Sequence, residues 1–191
     1  HTEFSPLPGL TFRESLYNGV ASDRINRQFR FCPRSDGMFN IGSLSYHIGE
    51  EDRHHGYYAV GYALGSSPSE TSADKTFNYA LWTLIEQPLL HIGESHLGAM
   101  WQGGTSPASR STCRHYWGAG LIWSNIPPRM TQVGLVVNRA LYADGRETDV
   151  ELTGSFPVCN HFTLQPAVHC INTNGNYTAA AQLRAILEFG N

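Results

Sequence analysis

Glu147–Phe189 reads ETDVELTGSFPVCNHFTLQPAVHCINTNGNYTAAAQLRAILEF, and it alternates along most of its length. Thr148, Val150, Leu152, Gly154 and Phe156 fall on one side; Glu147, Asp149, Glu151, Thr153 and Ser155 fall on the other. Further on, Tyr177, Ala179, Ala181, Leu183, Ala185, Leu187 and Phe189 oppose Thr178, Gln182, Arg184 and Glu188. A period of two places successive side chains on opposite faces of an extended strand. The stretch therefore predicts three antiparallel strands with one oily face, aromatic at each end, and one charged face. Two environments fit this pattern. A soluble sheet turns its polar face to bulk water. A membrane barrel turns its apolar side chains to lipid and its polar ones inward, with aromatic girdles at both interfaces.

Working outward, the same rhythm runs through the chain. Tyr58, Val60, Tyr62 and Leu64 alternate with Tyr57, Ala59, Gly61 and Ala63. Phe77, Tyr79, Leu81 and Ile85 oppose Asn78, Trp82 and Glu86. Leu97, Ala99 and Trp101 oppose Gly98 and Gln102, and Trp117, Ala119, Leu121 and Trp123 oppose Tyr116, Gly118 and Gly120. Met38–His47 is a strand whose phase changes midway, with Phe39 and Ile41 on one face and Leu44 and Tyr46 on the other; Gly42 is expected to mark a bulge there. Leu10–Gly19 is a strand in which Glu14 falls in phase with Leu10, Phe12 and Leu16. Arg13 is a further candidate for the polar face if this strand takes the other phase. Residues 1–9, with Pro6 and Pro8, read as an entry segment, and Gln87-Pro88 is expected to end a strand. The prediction is about ten strands over residues 10–189, in one domain covering 1–191, with no helix of globular length.

Composition narrows the choice. Of 191 residues, 15% are charged and 12% aromatic, with 19 glycines. That charge is low beside the roughly 25% of ordinary soluble proteins. No apolar run approaches the roughly 20 residues of a membrane helix. The net charge of -3 argues against a nucleic-acid partner. Loop lengths add a signal, because outer-membrane barrels alternate short periplasmic turns with longer outside loops. With the chain end in the periplasm, the outside loops are 20–36, 65–74, 104–112 and 172–176. The turns on the other side are 48–53, 87–93, 124–130 and 157–160. A transmembrane antiparallel β-barrel is the preferred all-β reading; a secreted, soluble β-sandwich that binds glycans is the alternative.

Several stretches resemble the carbohydrate-selective porin family of Gram-negative outer membranes, the OprB-type glucose porins. They are LTFRESLYNGV, DRINRQFRF and SDGMFNIGSLSYH near the start, ALWTLIEQPLL with Glu86-Gln87-Pro88, and YWGAGLIWSNIPPRM with Gly118, Gly120, Pro128 and Arg129. The last is ETDVELTGSFPVCNHFTLQPAVHCIN, with Leu164-Gln165-Pro166 and Asn172. The resemblance covers what would be the C-terminal part of such a porin, whose barrel has about sixteen strands. It implies a location in the cell outer membrane and passive diffusion of small carbohydrates such as glucose. Two positions depart from the family: Gly154 stands where it prefers a bulky residue, and Gly190-Asn191 follow the final aromatic. Further residues before His1 are expected in the natural protein.

A sugar pore needs a polar wall that holds hydroxylated solutes weakly. Carboxylates accept hydroxyl hydrogen bonds and Arg donates them. The expected pore-lining residues are Trp82, Glu86, Glu147, Asp149, Glu151, Gln165 and Arg184. The polar phase also holds Asn78, Gln102, His169, Gln182 and Glu188. The expected partners are small sugars and outer-membrane lipid, with homo-oligomer formation left open.

No enzyme, cofactor or metal site is expected. GxSxG and HExxH are absent, and no Ser/His pair stands out. His54 and His55 are adjacent, so they point to opposite faces of a strand. Cys32, Cys113, Cys159 and Cys170 lack metal-type spacing, although Cys159 and Cys170 flank a hairpin and could approach each other.

Overall fold

The computed structural model describes residues 1–19, 33–49, 56–68, 75–107, 111–127 and 130–188. Eleven strands form one sheet in sequence order: β1 Thr2–Leu7, β2 Leu10–Asn18, β3 Met38–Ile48, β4 Gly56–Pro68, β5 Lys75–Ile92 and β6 Ser95–Thr105, then β7 Cys113–Ile126, β8 Met130–Tyr142, β9 Arg146–Cys159, β10 Phe162–Thr173 and β11 Asn176–Leu187. One helical turn, α1 Pro33–Asp36, precedes β3. Every neighbouring pair is antiparallel. No helix among the described residues is long and apolar enough to cross a membrane.

The sheet is a meander with two free edges, β1 and β11. With eleven alternating strands, both edges run the same way. Direct closure between them would therefore make a parallel seam, whereas every existing seam is antiparallel. A β-sandwich needs a second sheet stacked on the first, and the described residues form only one.

The register assigns the faces, since residues paired across antiparallel strands share a side. On one face stand Leu44, Val60, Leu81, Leu121, Leu135, Leu152, Val168 and Leu183. They are linked by pairs such as Leu44↔Val60, Leu121↔Leu135, Leu135↔Leu152, Leu152↔Val168 and Pro166↔Leu183. Aromatics flank this aliphatic band toward both rims: Tyr46, Tyr58, Trp123 and Phe156 toward one, and Phe77, Tyr79, Trp101, Trp117 and Tyr177 toward the other. Trp101 and Trp117 stack with centroids 5.9 Å apart and planes 8° from parallel. The opposite face carries most of the charged and small residues, interrupted by Phe39, Ile41, Trp82, Leu84, Met100 and Val136.

Among the described residues no hydrophobic core lies between layers. Among the described residues the buried hydrophobic side chains are Ala59 and Ala167, whereas Val60, Leu152 and Leu183 are more than half exposed.

Four details correct the sequence reading. Thr2–Leu7 is a strand, not an entry segment; the register slips between Phe4 and Leu7, around Pro6, which has no N–H to donate. β5 continues through Pro88 to Ile92, with an irregularity between Pro88 and Leu90 against β6. Prolines inside sheets are placed at such irregularities. The turn is instead Gly93-Glu94, with Gly93 at φ 62. Gly42 makes no bulge, because β3 pairs continuously on both sides of it. The phase change in β3 is an unbroken alternation in which both faces carry apolar residues.

Cys159 and Cys170 do not approach each other. Cys159 pairs with Phe162 at the turn while Cys170 pairs with Val150, and both are free thiols with Cys113. Residues 20–32 of the expected outside loop, which include Cys32, and His54-His55 lie outside the described residues.

The connections differ between the two rims. On one rim they are 19, 6, 7, 3 and 2 residues long, and on the other 2, 7, 2, 3 and 2. The N-terminal loops carry the asymmetry. Of the two-residue connections, Asn174-Gly175 holds both residues at positive φ, 53 and 96, as a hairpin turn twisted to match its strands requires.

Candidate functional site

All seven residues expected to line a pore stand on the polar face. One row of paired residues runs His47, Tyr57, Glu86, Met100, Gly120, Val136, Glu151 and His169. A second runs Arg13, Ser43, Gly61, Trp82, Gly104, Tyr116, Ala140, Glu147 and Thr173. A third, between them, joins Ser45, Ala59, Leu84, Gln102, Gly118, Asn138 and Asp149. Gln165 faces Arg184 across β10 and β11.

The seven do not form one cluster. β5 and β9 are four strands apart, so Trp82 and Glu86 lie about 19 Å along the sheet from Glu147 and Glu151 at about 4.8 Å per strand. The polar face is instead a series of small sites.

The first is an aromatic platform. The Trp82 ring lies over Gly61, where an added Cβ would stand 2.3 Å from the indole carbons and 2.7 Å from the Gly42 carbonyl oxygen. Only glycine leaves room for the ring to lie flat against the backbone. Small neighbours, Ser43, Ser45, Ala59 and Ala63, surround the platform.

The second site is a hydrogen-bonded network on β6–β8. Gln102 Nε2 donates to the Tyr116 hydroxyl at 2.6 Å, and that hydroxyl donates to Asn138 Oδ1 at 2.8 Å. Gly118 makes this possible, because a Cβ there would meet Asn138 Oδ1 at 2.4 Å. The network continues into β9 and β10, since Asn138 pairs with Asp149. Asp149 Oδ2 lies 3.1 Å from His169 Nδ1, with both side chains about four-fifths buried. Glu151 is the cross-strand partner of His169. Toward the rim, Thr173 Oγ1 donates to Glu147 Oε2 at 3.2 Å.

Sequence reasoning placed Gln102, Asp149, Glu151 and His169 on this face but missed the Tyr116–Asn138 link. The signal was faint: two polar residues on neighbouring strands, beside glycines.

At the β1–β2 edge Arg13 does reach the polar face, where its Nε donates to Glu3 Oε2 at 3.0 Å. Both side chains are nearly half exposed, so the pair contributes little stability. Glu14 consequently projects onto the apolar face. It accepts from the Tyr62 hydroxyl at 2.9 and 3.0 Å and from Asn40 Nδ2 at 2.6 Å. Gly42 accommodates the Tyr62 ring, since a Cβ there would lie 2.7 Å from it. Beside this polar island, a groove of about 600 Å³ on the apolar face is lined by Phe12, Leu44, Val60, Leu81 and Thr83. Its lining suits hydrocarbon rather than a hydroxylated solute.

The same edge contains a Ser/His contact that the sequence did not suggest: His1 Nδ1 lies 2.7 Å from Ser15 Oγ. It went unseen because β1 was not recognised as a strand. Nucleophilic chemistry needs a base oriented by a third group. Here the other ring nitrogen is 4.0 Å from Glu3 Oε2, beyond hydrogen-bond reach, and that oxygen already serves Arg13.

No protein-family model, curated protein or solved structure matches this chain, so the porin resemblance rests on the quoted stretches alone.

Proposed function

We propose that this chain is a wall of an outer-membrane β-barrel pore, through which small carbohydrates such as glucose diffuse passively. The observation that carries this reading is the apolar face, which runs across the sheet and is backed by no core among the described residues. Monomeric soluble proteins seldom expose apolar patches beyond several hundred Å². Leu44, Val60, Leu81, Leu121, Leu135, Leu152 and Leu183 are all at least 40% exposed. Lipid covers such a surface without a second protein layer, and aromatics toward both rims suit its two interfaces. Within lipid the edges β1 and β11 need partners, because unpaired backbone groups there are costly. Further strands, or another copy of the chain, would supply them.

The polar face suits a sugar. Trp82 offers an aromatic surface for the apolar side of a pyranose ring. Glu86, Glu147, Asp149, Glu151, Gln165 and Arg184 offer acceptors and donors for hydroxyl groups. Their dispersal favours many weak contacts over one tight site, as conduction requires.

Reconstitution into liposomes tests the proposal. Glucose should swell vesicles that carry the protein faster than raffinose does, and Trp82→Ala should slow glucose more than it slows glycerol. A chain that is monomeric and stable without detergent, and that gives no swelling, would refute the membrane reading. Glycan binding by such a soluble chain would favour a secreted binding module instead.

A further inference from the structure

We propose that Asp149, Glu151 and His169 form a binding site for a divalent transition-metal cation of the zinc type. The site would lie on the polar face of β9 and β10. The proposal rests on side-chain geometry and does not depend on whether the sheet lines a pore.

Strand geometry brings the three groups together. Asp149 and Glu151 are two residues apart on β9, so they share a face and stand next to each other along the strand. His169 is paired with Glu151 across the β9–β10 ladder. Each residue presents one ligand atom, and these atoms lie within 4.8 Å of one another. Tetrahedral coordination with bonds near 2.0–2.1 Å would place ligand atoms roughly 3.3 Å apart. His169 Nδ1 and Asp149 Oδ2 are already 3.1 Å apart. The Glu151 carboxylate oxygen, within 4.8 Å of both, completes the set.

A second observation is independent of the spacing. Asp149 Oδ1 is buried and accepts no hydrogen bond. A buried polar atom without a partner is costly, and more so when it belongs to a charged group. Asn138, the cross-strand neighbour of Asp149, makes no hydrogen bond to this oxygen. A cation beside Asp149 would neutralise this carboxylate and satisfy the site.

The donor set indicates the class of ion. One imidazole nitrogen and two carboxylate oxygens suit zinc and its first-row neighbours. Calcium and magnesium favour all-oxygen shells of six or more ligands. With three protein ligands, at least one coordination position stays open toward the polar face, for water or a hydroxyl group. On binding, the Asp149–His169 hydrogen bond is replaced by two metal bonds, and the imidazole proton is carried on Nε2.

The test uses the full chain in detergent, stripped of metal and titrated with Zn²⁺ alone by calorimetry, with Mg²⁺ and Ca²⁺ run in parallel. We expect about one Zn²⁺ per chain, with affinity lowered at least about tenfold by His169→Ala and by Glu151→Gln. His161→Ala and the double substitution His54→Ala/His55→Ala should leave it unchanged. If His169→Ala fails to fold, the near-isosteric Glu151→Gln still decides. Absence of stoichiometric Zn²⁺ binding, binding indifferent to both site substitutions, or equal affinity for Mg²⁺ would overturn the proposal. The Asp149–His169 contact would then be an ordinary hydrogen bond of the sheet.

Discussion

Strands β8–β11 and β2–β5 each carry an apolar and a polar face, but they distribute polarity differently. In β8–β11 the separation is cleaner, with Arg139 on the apolar face and Val136 on the polar one as exceptions on β8. Val150, Leu152, Val168 and Leu183 hold one side, and Asp149, Glu151, His169 and Arg184 the other. In β2–β5 polar and apolar groups cross over. Glu14 projects into the apolar face and is capped there by Tyr62 and Asn40, while Phe39, Ile41 and Trp82 stand on the polar one. The exceptions are made possible by glycine. Gly42 accommodates the Tyr62 ring over Glu14, and Gly61 accommodates Trp82. The difference shows that a strand can break its binary pattern where a neighbouring strand supplies the hydrogen bonds and a missing Cβ supplies the space.

This contrast can be broken experimentally, and the largest effect should come from the clean region. Leu152→Arg places a charge in the middle of the apolar face. If lipid covers that face, the substitution should cost about 2–4 kcal/mol of stability in bilayers, read from urea titration of folded protein in vesicles. Thr178→Arg, on the polar face of the same region, should cost far less. Equal effects of the two substitutions would mean that the faces do not meet different media.

Next comes Gly61→Val in the mixed region. A branched side chain beneath Trp82 should cost about 1–3 kcal/mol by overpacking and shift the tryptophan fluorescence. Unchanged emission and stability would show that the indole does not rest there. A smaller loss is expected for Tyr62→Phe, which leaves Glu14 accepting from Asn40. Adding Glu14→Leu should recover the melting temperature, because the stranded carboxylate is then gone; no recovery would remove the polar island as the cause. The smallest effect belongs to Arg184→Ala, within about 0.5 kcal/mol, since this side chain on β11 is exposed. Its expected consequence is a change in ion selectivity of reconstituted channels, with stability preserved.

The clean region was almost wholly legible in the sequence. Strict alternation in Glu147–Phe156 and Tyr177–Leu187 assigned faces that the register reproduces residue by residue. The mixed region was legible in part. Glu14 in phase with Leu10 and Phe12 looked like a conflict, yet the strand holds that phase and Arg13 takes the polar side. The edge strand β1 was hidden by Pro6 and by its short length, and with it the Arg13–Glu3 and His1–Ser15 contacts. The strand through Pro88 was hidden because proline ordinarily interrupts a ladder, and here an irregularity absorbs it. The seven expected site residues share the polar face, but their separation across β5, β9, β10 and β11 could not be read from spacing.

Alternation is a local property, set by the extended backbone itself, so the sequence alone determined an all-β chain with two chemically distinct faces. The order and register of eleven strands, the two free edges and the exposed apolar face depend on which strands pair. Pairing joins residues far apart in the chain. Only the tertiary structure could therefore bring His169 beside Asp149 and Glu151, and Tyr62 over Gly42 onto Glu14.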